Sequence, residues 1–381
     1  MLDVVSADTR LVATDPGIPG LRDVLSPLGL VRRLAPAWDV ADARVVYLRY
    51  KPATSLVAGL RLTAADGATS FVQALALGVG APEKLAKVVR AGDGDDVGRG
   101  AVVDPRLGVA LSDVTADRHL PGVGRVLHDA DGAVTPLVYK PGRRWVAREE
   151  RTDGSAVLVK VHRRSAVAGV LAGHAALTGL PVVTVAEARE RRGTVRHPWL
   201  PGRPLDALVG PGLPDLWSCA GAVLAAVHAQ PSAEGLQRVD RAVELAAAVA
   251  AVRAVAPLDL AAAAASTAER VLAQAGEAVS PRVVHGDFSA DQVIVRPDLA
   301  GSAAPAADQP AVTLVDLDRV GLDDPAADLA SWYGALVATG TGPGDPHEVL
   351  APLLEGYLGA GGDPSVVGRL RLLSAAAVLQ R

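Results

Sequence analysis

The tripeptide Tyr-Lys-Pro occurs twice, at Tyr50-Lys51-Pro52 and at Tyr139-Lys140-Pro141, each time at the end of a run that reads as a β-strand. Arg44 to Tyr50, Ser55 to Leu62 and Ser70 to Leu77 carry β-branched and aromatic residues around the turn Ala65-Asp66-Gly67. Pro136 to Lys140, Trp145 to Glu149 and Ala156 to His162 do the same around Thr152-Asp153-Gly154. Turn residues between short apolar runs of this kind predict antiparallel strands. The Tyr-Lys-Pro copies lie 89 residues apart and the Asp-Gly turns 87 apart, and Leu120-Pro121-Gly122 echoes Leu200-Pro201-Gly202. A strand–strand–strand–helix unit present twice accounts for the spacing; coincidence among common turn residues is the alternative. The copies differ at one telling place, where Lys160 on the third strand of the second aligns with Gln73 in the first.

The remainder of the chain changes character. Leu205 to Gln230, Val239 to Ala254 and Ala261 to Ala278 place apolar residues at helical spacing among good helix formers. Brief β signals return at Val283 to Val284, Val293 to Val295 and Thr313 to Val315, with a Pro-, Ala- and Gly-rich surface loop, Asp298 to Ala311, before the last. Helices are expected again at Pro325 to Thr339 and Pro346 to Leu358, and the chain ends in an apolar helix from Val366 to Arg381.

Composition narrows the function. A chain of 381 residues exceeds one compact core and predicts two or three domains. The net charge of -4 and the lack of a polybasic cluster argue against a nucleic-acid partner. A single cysteine, Cys219, allows no internal disulfide and fits a reducing compartment. Met1 to Arg10 lacks a signal-peptide pattern, and the most apolar tract, Ala246 to Ala265, is interrupted by Arg253, Pro257 and Asp259 and does not read as a membrane span. A cytoplasmic location without membrane attachment follows. Lysine occurs only at Lys51, Lys84, Lys87, Lys140 and Lys160 in an Ala-, Gly-, Val- and Arg-rich chain. Such a bias favours arginine wherever lysine is optional, so a lysine that persists points to a chemical requirement.

The densest chemistry is His285-Gly286-Asp287-Phe288-Ser289-Ala290-Asp291-Gln292, followed after the loop by Leu314-Val315-Asp316-Leu317-Asp318. Phosphoryl transfer from ATP needs a carboxylate to orient the attacking hydroxyl, oxygen ligands for Mg²⁺ and a cation on the phosphates. Two carboxylates carried at the ends of adjacent short strands meet that requirement.

This pattern resembles the aminoglycoside phosphotransferase and choline kinase group, small-molecule kinases with a protein-kinase-like fold, here of actinobacterial type. The resemblance covers about Val138 to Tyr357. It rests on His285-Gly286-Asp287, the aspartate strand, Gly321, Asp324, Pro325, Asp328-Leu329-Ala330, the upstream Lys160 and the helical Ala225-Ala226-Val227-His228. It implies an α+β two-lobed fold. A cap over residues 1–128, resembling a degenerate small lobe, would precede a small β-rich lobe (129–201) and a mainly helical lobe (202–381), with ATP between the last two.

Asp287 would be the catalytic base. Asp316 would be the main Mg²⁺ ligand, with Gln292 and Asp318 as further metal candidates. His285 would tie the catalytic loop to its neighbours, and Asp328 would brace it. Lys160 would hold the α- and β-phosphates, the turn carrying Gly142, Arg143 and Arg144 would cover them, and His197, Trp199 and Leu200 would form a hinge at the adenine.

Asp318 also reads as a structural residue, Arg143 and Arg144 as an exposed loop pair, and His228 as a packed or capping histidine. The sequence departs from the family pattern in two places. Gln292 stands where the family has asparagine, and Ser165 to Gly179 contains no acid to pair with Lys160, with His174 roughly at that place.

The implied activity is ATP-dependent transfer of the γ-phosphoryl group to a hydroxyl of a small polar molecule such as a sugar, amino sugar or aminoglycoside. The pocket for that acceptor is expected mostly from Leu205 to Ala278. The rival readings are a pseudokinase or nucleotide-binding module, prompted by the two departures, nucleotidyl transfer on the same fold, and a helical scaffold.

Overall fold

A computed structural model describes residues 7–79, 82–92, 100–210, 212–275, 280–297, 310–341 and 344–381. Most of the expected loop at 298–311 therefore lies outside the described residues. The chain divides into two compact units. The first runs to Val167 and takes in Val185–Trp199 and Ala254–Ala256; the second comprises Ala168–Thr184, Leu200–Arg253 and Pro257–Arg381.

The first unit holds two five-stranded antiparallel sheets. One is built from β1 (Val40–Lys51), β2 (Ser55–Ala64), β3 (Thr69–Leu77), β4 (Ala101–Asp104) and β5 (Val109–Asp113), in the order β1-β2-β3-β5-β4. The other is built from β6 (Val134–Lys140), β7 (Arg144–Glu150), β8 (Ala156–His162), β9 (Glu187–Arg189) and β10 (Thr194–Pro198), in the order β6-β7-β8-β10-β9. The topology is repeated, and so is the register. Gln73 pairs with Gly59 on β2 and Ser112 on β5. Lys160 pairs with Val146 on β7 and Val195 on β10.

A carboxylate clamp is repeated as well. Asp15 Oδ2 accepts from Tyr50 Oη (2.6 Å) and Ala53 N (2.7 Å), while its Oδ1 accepts from Gly17 N (3.1 Å). Asp117 Oδ2 accepts from Tyr139 Oη (3.0 Å) and Gly142 N (2.6 Å), while its Oδ1 accepts from His119 N (3.0 Å). Each aspartate thus closes the turn after Tyr-Lys-Pro, which passes through the left-handed region at Ala53 (φ 53°) and Gly142 (φ 64°). The partner of Leu120-Pro121-Gly122 is accordingly Ile18-Pro19-Gly20, three residues beyond the equivalent aspartate. The echo at Leu200-Pro201-Gly202, which leads into a short strand of the second unit, is a coincidence of turn residues.

The first sheet buries Leu56, Leu60, Val72 and Leu111 against the helices that precede it. Phe71 and Val114 from that half join Tyr139, Trp145, Val159 and Val161 of the second in one apolar cluster. The second sheet also holds a buried ion pair, Arg196 Nε to Glu149 Oε2 at 2.9 Å, with Arg196 Nη1 3.5 Å from Glu187.

The second unit is mainly helical. Its helices include Leu213–His228, Arg241–Val255, Leu258–Ala275, Ala326–Ala338, Ala351–Gly359 and Val366–Gln380. The continuous helix expected from Leu205 is interrupted. A single 3₁₀ turn, Leu205–Ala207, is followed by Gly210 at φ 139° and by Gly212, a run whose backbone does not continue a helix. The helix expected from Pro346 breaks at Leu350 and restarts with a proline in its first turn.

Two small β elements lie among these helices. β11 (Arg203–Pro204), β13 (Val293–Val295) and β14 (Val312–Leu314) form one, and β12 (Arg282–Val284) pairs with β15 (Gly321–Asp323) in the other. Around them Phe288, Trp332, Leu224, Leu353 and Tyr357 are completely buried. Burying side chains of this size contributes roughly 1.5–3 kcal/mol each. The loop that follows β12 is thereby anchored to the core of the unit.

Candidate active site

The loop from His285 to Gln292 leaves β12 under several independent constraints. Gly286 sits at φ 83°, and a Cβ there would stand 2.2 Å from the Arg319 carbonyl oxygen, so the position requires glycine. The Phe288 ring packs between His285 and Trp332, with ring centroids 5.8 and 4.8 Å away. His285 is fully buried, and its Nε2 donates to the Val315 carbonyl at 2.9 Å. The residue after Val315 is Asp316.

Asp328, buried in the helix Ala326–Ala338, collects the donors behind the loop. Its Oδ2 accepts from His285 N (2.7 Å) and His228 Nε2 (3.1 Å), and its Oδ1 accepts from Gly286 N (2.9 Å). Burial pushes its carboxyl up, but the hydrogen bonds from His228 and Gly286 and the electrostatic influence of the two imidazoles outweigh burial and hold it below the usual carboxylate range. The chain of contacts continues outward. Tyr357 Oη donates to His228 Nδ1 (3.0 Å) and accepts from Asp363 N (3.2 Å), and burial is the main reason its pKa is pushed up to about 12. His228 is therefore more than a packed histidine, since it couples the brace of the loop to Tyr357. Its partners come from 100 and 129 residues away, which nothing in the local sequence could announce.

Asp316 follows β14 with φ 60° and ψ 48°, a left-handed conformation uncommon for a residue with a side chain. Such a conformation persists where the surroundings impose it, most often at functional positions. The backbone bond from Val315 N to Gln292 O (2.9 Å) sets Gln292 beside the residue that precedes Asp316. The Gln292 amide nitrogen donates to Asp291 Oδ2 (2.7 Å), which turns its Oε1 away from Asp291. Carboxylate and amide oxygens suit Mg²⁺, which uses one or two protein carboxylates and takes its remaining ligands from phosphates and water. Among the described residues no group of three or more His, Cys, Asp or Glu could hold a metal alone. Asp318 lies in the 3₁₀ turn Leu317–Arg319, one residue beyond Leu317.

Asp287 opens into a cavity of about 160 Å³. Arg241, Glu244, Arg319, Asp323 and Arg381 share its lining with Ser331. Arg381 Nη2 reaches both Asp287 Oδ1 (3.2 Å) and Ser331 Oγ (3.0 Å). Arg241 holds Asp323 with two contacts of 2.8 Å, and Arg319 pairs with Glu244. Burial raises the Asp323 carboxyl above its usual value although Arg241 opposes it. Among the described residues from Leu205 to Ala278, only Val239, Arg241 and Glu244 line this cavity. The helix Ala326–Ala338 and the C-terminal helix supply much of the rest, because these two pack on each other beside β12.

The sites expected in the first unit are placed as follows. Lys160 is buried on β8 and has partners there. Gly142 lies in the β6–β7 turn with its N–H committed to Asp117 and its carbonyl accepting from Arg163, so that backbone is occupied within the protein. Arg143 is exposed at the tip, and Arg144 begins β7 opposite Lys140. His197 is buried on β10 opposite Leu158. The Trp199 ring lies under the Arg148 guanidinium, 5.0 Å from the ring centroid. Leu200 belongs to the second unit and packs on its core. His174 Nδ1 bonds the Val183 carbonyl at 3.1 Å.

Comparison with known proteins adds the family. A comparison with curated sequences finds no match. Among solved structures, the chain is similar to an aminoglycoside phosphotransferase from Streptomyces rimosus at 21% identity, covering 67% of this chain and 96% of that one with a TM-score of 0.49. It is similar to a macrolide 2'-phosphotransferase type I at 20% identity, covering 68% and 87%, with a TM-score of 0.47. It is also similar to a choline/ethanolamine kinase family protein from Mesorhizobium loti at 18% identity, covering 70% and 82%, with a TM-score of 0.47. The profile described as a phosphotransferase enzyme family matches residues 125–371, which is more than half of the chain and includes every residue of the loop and its braces. The chain belongs to the phosphotransferase enzyme family.

Proposed function

We propose that the chain transfers the γ-phosphoryl group of ATP to a hydroxyl of a small polar molecule. The observation that carries the reading is the shared frame of the two carboxylates. Asp328 clamps both amides that precede Asp287, while His285 ties the same loop to Val315, the neighbour of Asp316. A base and a metal ligand fixed by one buried network supply the positioning that phosphoryl transfer needs. Asp287 accepts the proton of the attacking hydroxyl. Asp316 and Gln292 would hold Mg²⁺, which would supply positive charge to the nucleotide phosphates. Lys160 is the cation assigned to the α- and β-phosphates. The cavity at Asp287 carries acids and arginines in alternation, which suits a hydroxyl-rich acceptor such as a sugar or amino sugar.

Calorimetric titration with ATP, with and without Mg²⁺, tests the reading on the parent chain and on Asp316→Ala and Lys160→Ala. Magnesium-dependent binding weakened by both substitutions is expected. A screen of hydroxyl acceptors for ADP release, with Asp287→Ala as the blank, then tests transfer. Absence of ATP binding in the parent would refute the proposal. Release of pyrophosphate instead of ADP would replace it with nucleotidyl transfer.

A further inference from the structure

Three of the five lysines in the sequence line a single depression in the first unit, whose lining includes neither Asp287 nor Lys160. Lys51 closes β1, and Lys84 and Lys87 stand three positions apart on the helix Pro82–Gly92, as exposed residues. Arg49 and Arg118 join them around a cavity of about 370 Å³. Among the described residues none of these five cations makes an ion pair. Among the described residues the one carboxylate in the lining is Asp117, whose oxygens already accept from Tyr139 Oη, His119 N and Gly142 N.

Like charges gathered in a concave site repel one another and focus a positive field that attracts anions. His119, in the same wall, registers that field. Burial lowers its pKa, Asp117 opposes the lowering, and Arg118, Arg163 and Arg49 add to it. The floor is different in kind. Val57, Leu75 and Leu77 from β2 and β3 are buried and apolar, with Gln73 and Ser112 beside them. A basic rim above an apolar floor with a few amide and hydroxyl groups matches a compound with charged phosphate at one end and a ring at the other.

Gln73 occupies the register position that Lys160 holds in the second sheet, so the first sheet lacks that lysine. The cations of the depression come instead from the end of β1, from a helix and from the segment before Leu120. We infer that this depression binds a phosphorylated small molecule, a phosphate monoester or diphosphate on a sugar- or nucleoside-sized body. Its lining shares Gly142 with the β6–β7 turn but contains neither Lys160 nor Asp287.

The inference does not depend on phosphoryl transfer, because a chain inactive toward every acceptor would still bind the anion. Calorimetry with glucose 6-phosphate, AMP and pyrophosphate, each without Mg²⁺, provides the test on the full chain. The comparisons are Lys84→Glu/Lys87→Glu, Arg118→Gln, Lys160→Ala and Asp316→Ala, with melting temperature as the check on folding.

At least one probe is expected to bind with a stoichiometry of one. Its affinity should fall about tenfold or more in the double charge reversal and by a smaller factor in Arg118→Gln, since each strong charged contact is worth about a factor of ten. It should also weaken between about 50 and about 200 mM salt and remain unchanged in Lys160→Ala and Asp316→Ala. A preference for glucose 6-phosphate or AMP over pyrophosphate identifies the ring that the floor accepts. Three results would each overturn the inference: no probe binds the parent, both Lys84→Glu/Lys87→Glu and Arg118→Gln bind as the parent does, or Lys160→Ala abolishes binding.

Discussion

Replacing Asp328 tests the frame that holds the catalytic loop. Its carboxylate is 1% exposed and receives two backbone amides and the His228 imidazole. Asp328→Ala leaves three buried donors stranded. A stranded donor costs about 1–3 kcal/mol, and breaking a buried charged network of this kind about 3–5 kcal/mol in all once the site relaxes. For a unit of this size each kcal/mol lowers the melting temperature by about 2–4 °C, so a fall of roughly 10 °C is expected. Asp328→Asn should cost less. Its amide oxygen still accepts from Gly286 N, and its NH₂ can donate to His228 once that ring changes tautomer and donates its Nδ1–H to Tyr357 Oη, which leaves the His285 amide as the one stranded donor.

The pH dependence follows from the lowered pKa. The folded chain takes up the Asp328 proton at lower pH than the unfolded chain. The stabilisation is therefore complete above the unfolded value, about 3.9, and is lost as pH falls through the folded one. The stability gap between the parent and Asp328→Asn should accordingly close on acidification below about pH 4. Thermal melts across pH, with hydrogen exchange of the His285 to Phe288 segment, provide the measurement. If Asp328→Ala melted with the parent and kept the protection of that segment, the frame described here would be wrong.

Gly286→Ala should lower the turnover number by at least about tenfold with little change in ATP affinity, because its Cβ meets Arg319 O at 2.2 Å and the backbone carrying Asp287 must move; steady-state kinetics beside ATP calorimetry separates the two. Arg381→Ala removes the cation that reaches Asp287 and Ser331, and should change the KM for the acceptor while the Kd for ATP stays fixed. Arg196→Ala strands buried Glu149 and should cost about 3–5 kcal/mol in thermal denaturation, whereas Glu149→Leu/Arg196→Met should recover most of the loss.

Strand positions, the repeat and the family motif of the loop were legible because each is local. Turn dipeptides punctuate the strands, and His-Gly-Asp with its second aspartate strand is read from contiguous residues. The brace from His228 through Asp328 to Tyr357 was not, because it closes over more than a hundred residues. The Asp117 clamp could have been found. Asp15-Pro16-Gly17-Ile18-Pro19-Gly20 and Asp117-Arg118-His119-Leu120-Pro121-Gly122 place aspartate, an apolar residue, proline and glycine at the same spacing. The match to Leu200-Pro201-Gly202 drew attention to the wrong partner, since a tripeptide of turn residues lacks the aspartate that gives the motif its physical role. The sequence also did not announce that the cavity at Asp287 takes so little of its lining from the middle helices. Pocket walls depend on how the C-terminal helix packs against Ala326–Ala338, and helical periodicity does not encode which faces meet.

The two clamps show what a duplicated unit keeps and what it releases. Both copies retain an aspartate that ties a tyrosine hydroxyl to the N–H of a left-handed residue, so the constraint acts on the shape of the turn. The residue itself has diverged. Gly142 adopts φ 64° without steric penalty, whereas Ala53 adopts φ 53° at a cost of roughly 1–2 kcal/mol. The first copy tolerates that cost because Asp15 fixes the turn from both sides. On the third strand the divergence runs the other way, with lysine in the second copy and glutamine in the first. A turn held by the same hydrogen bonds beside a strand that carries lysine in one copy and glutamine in the other shows that the two sheets share an architecture that does not depend on that cation.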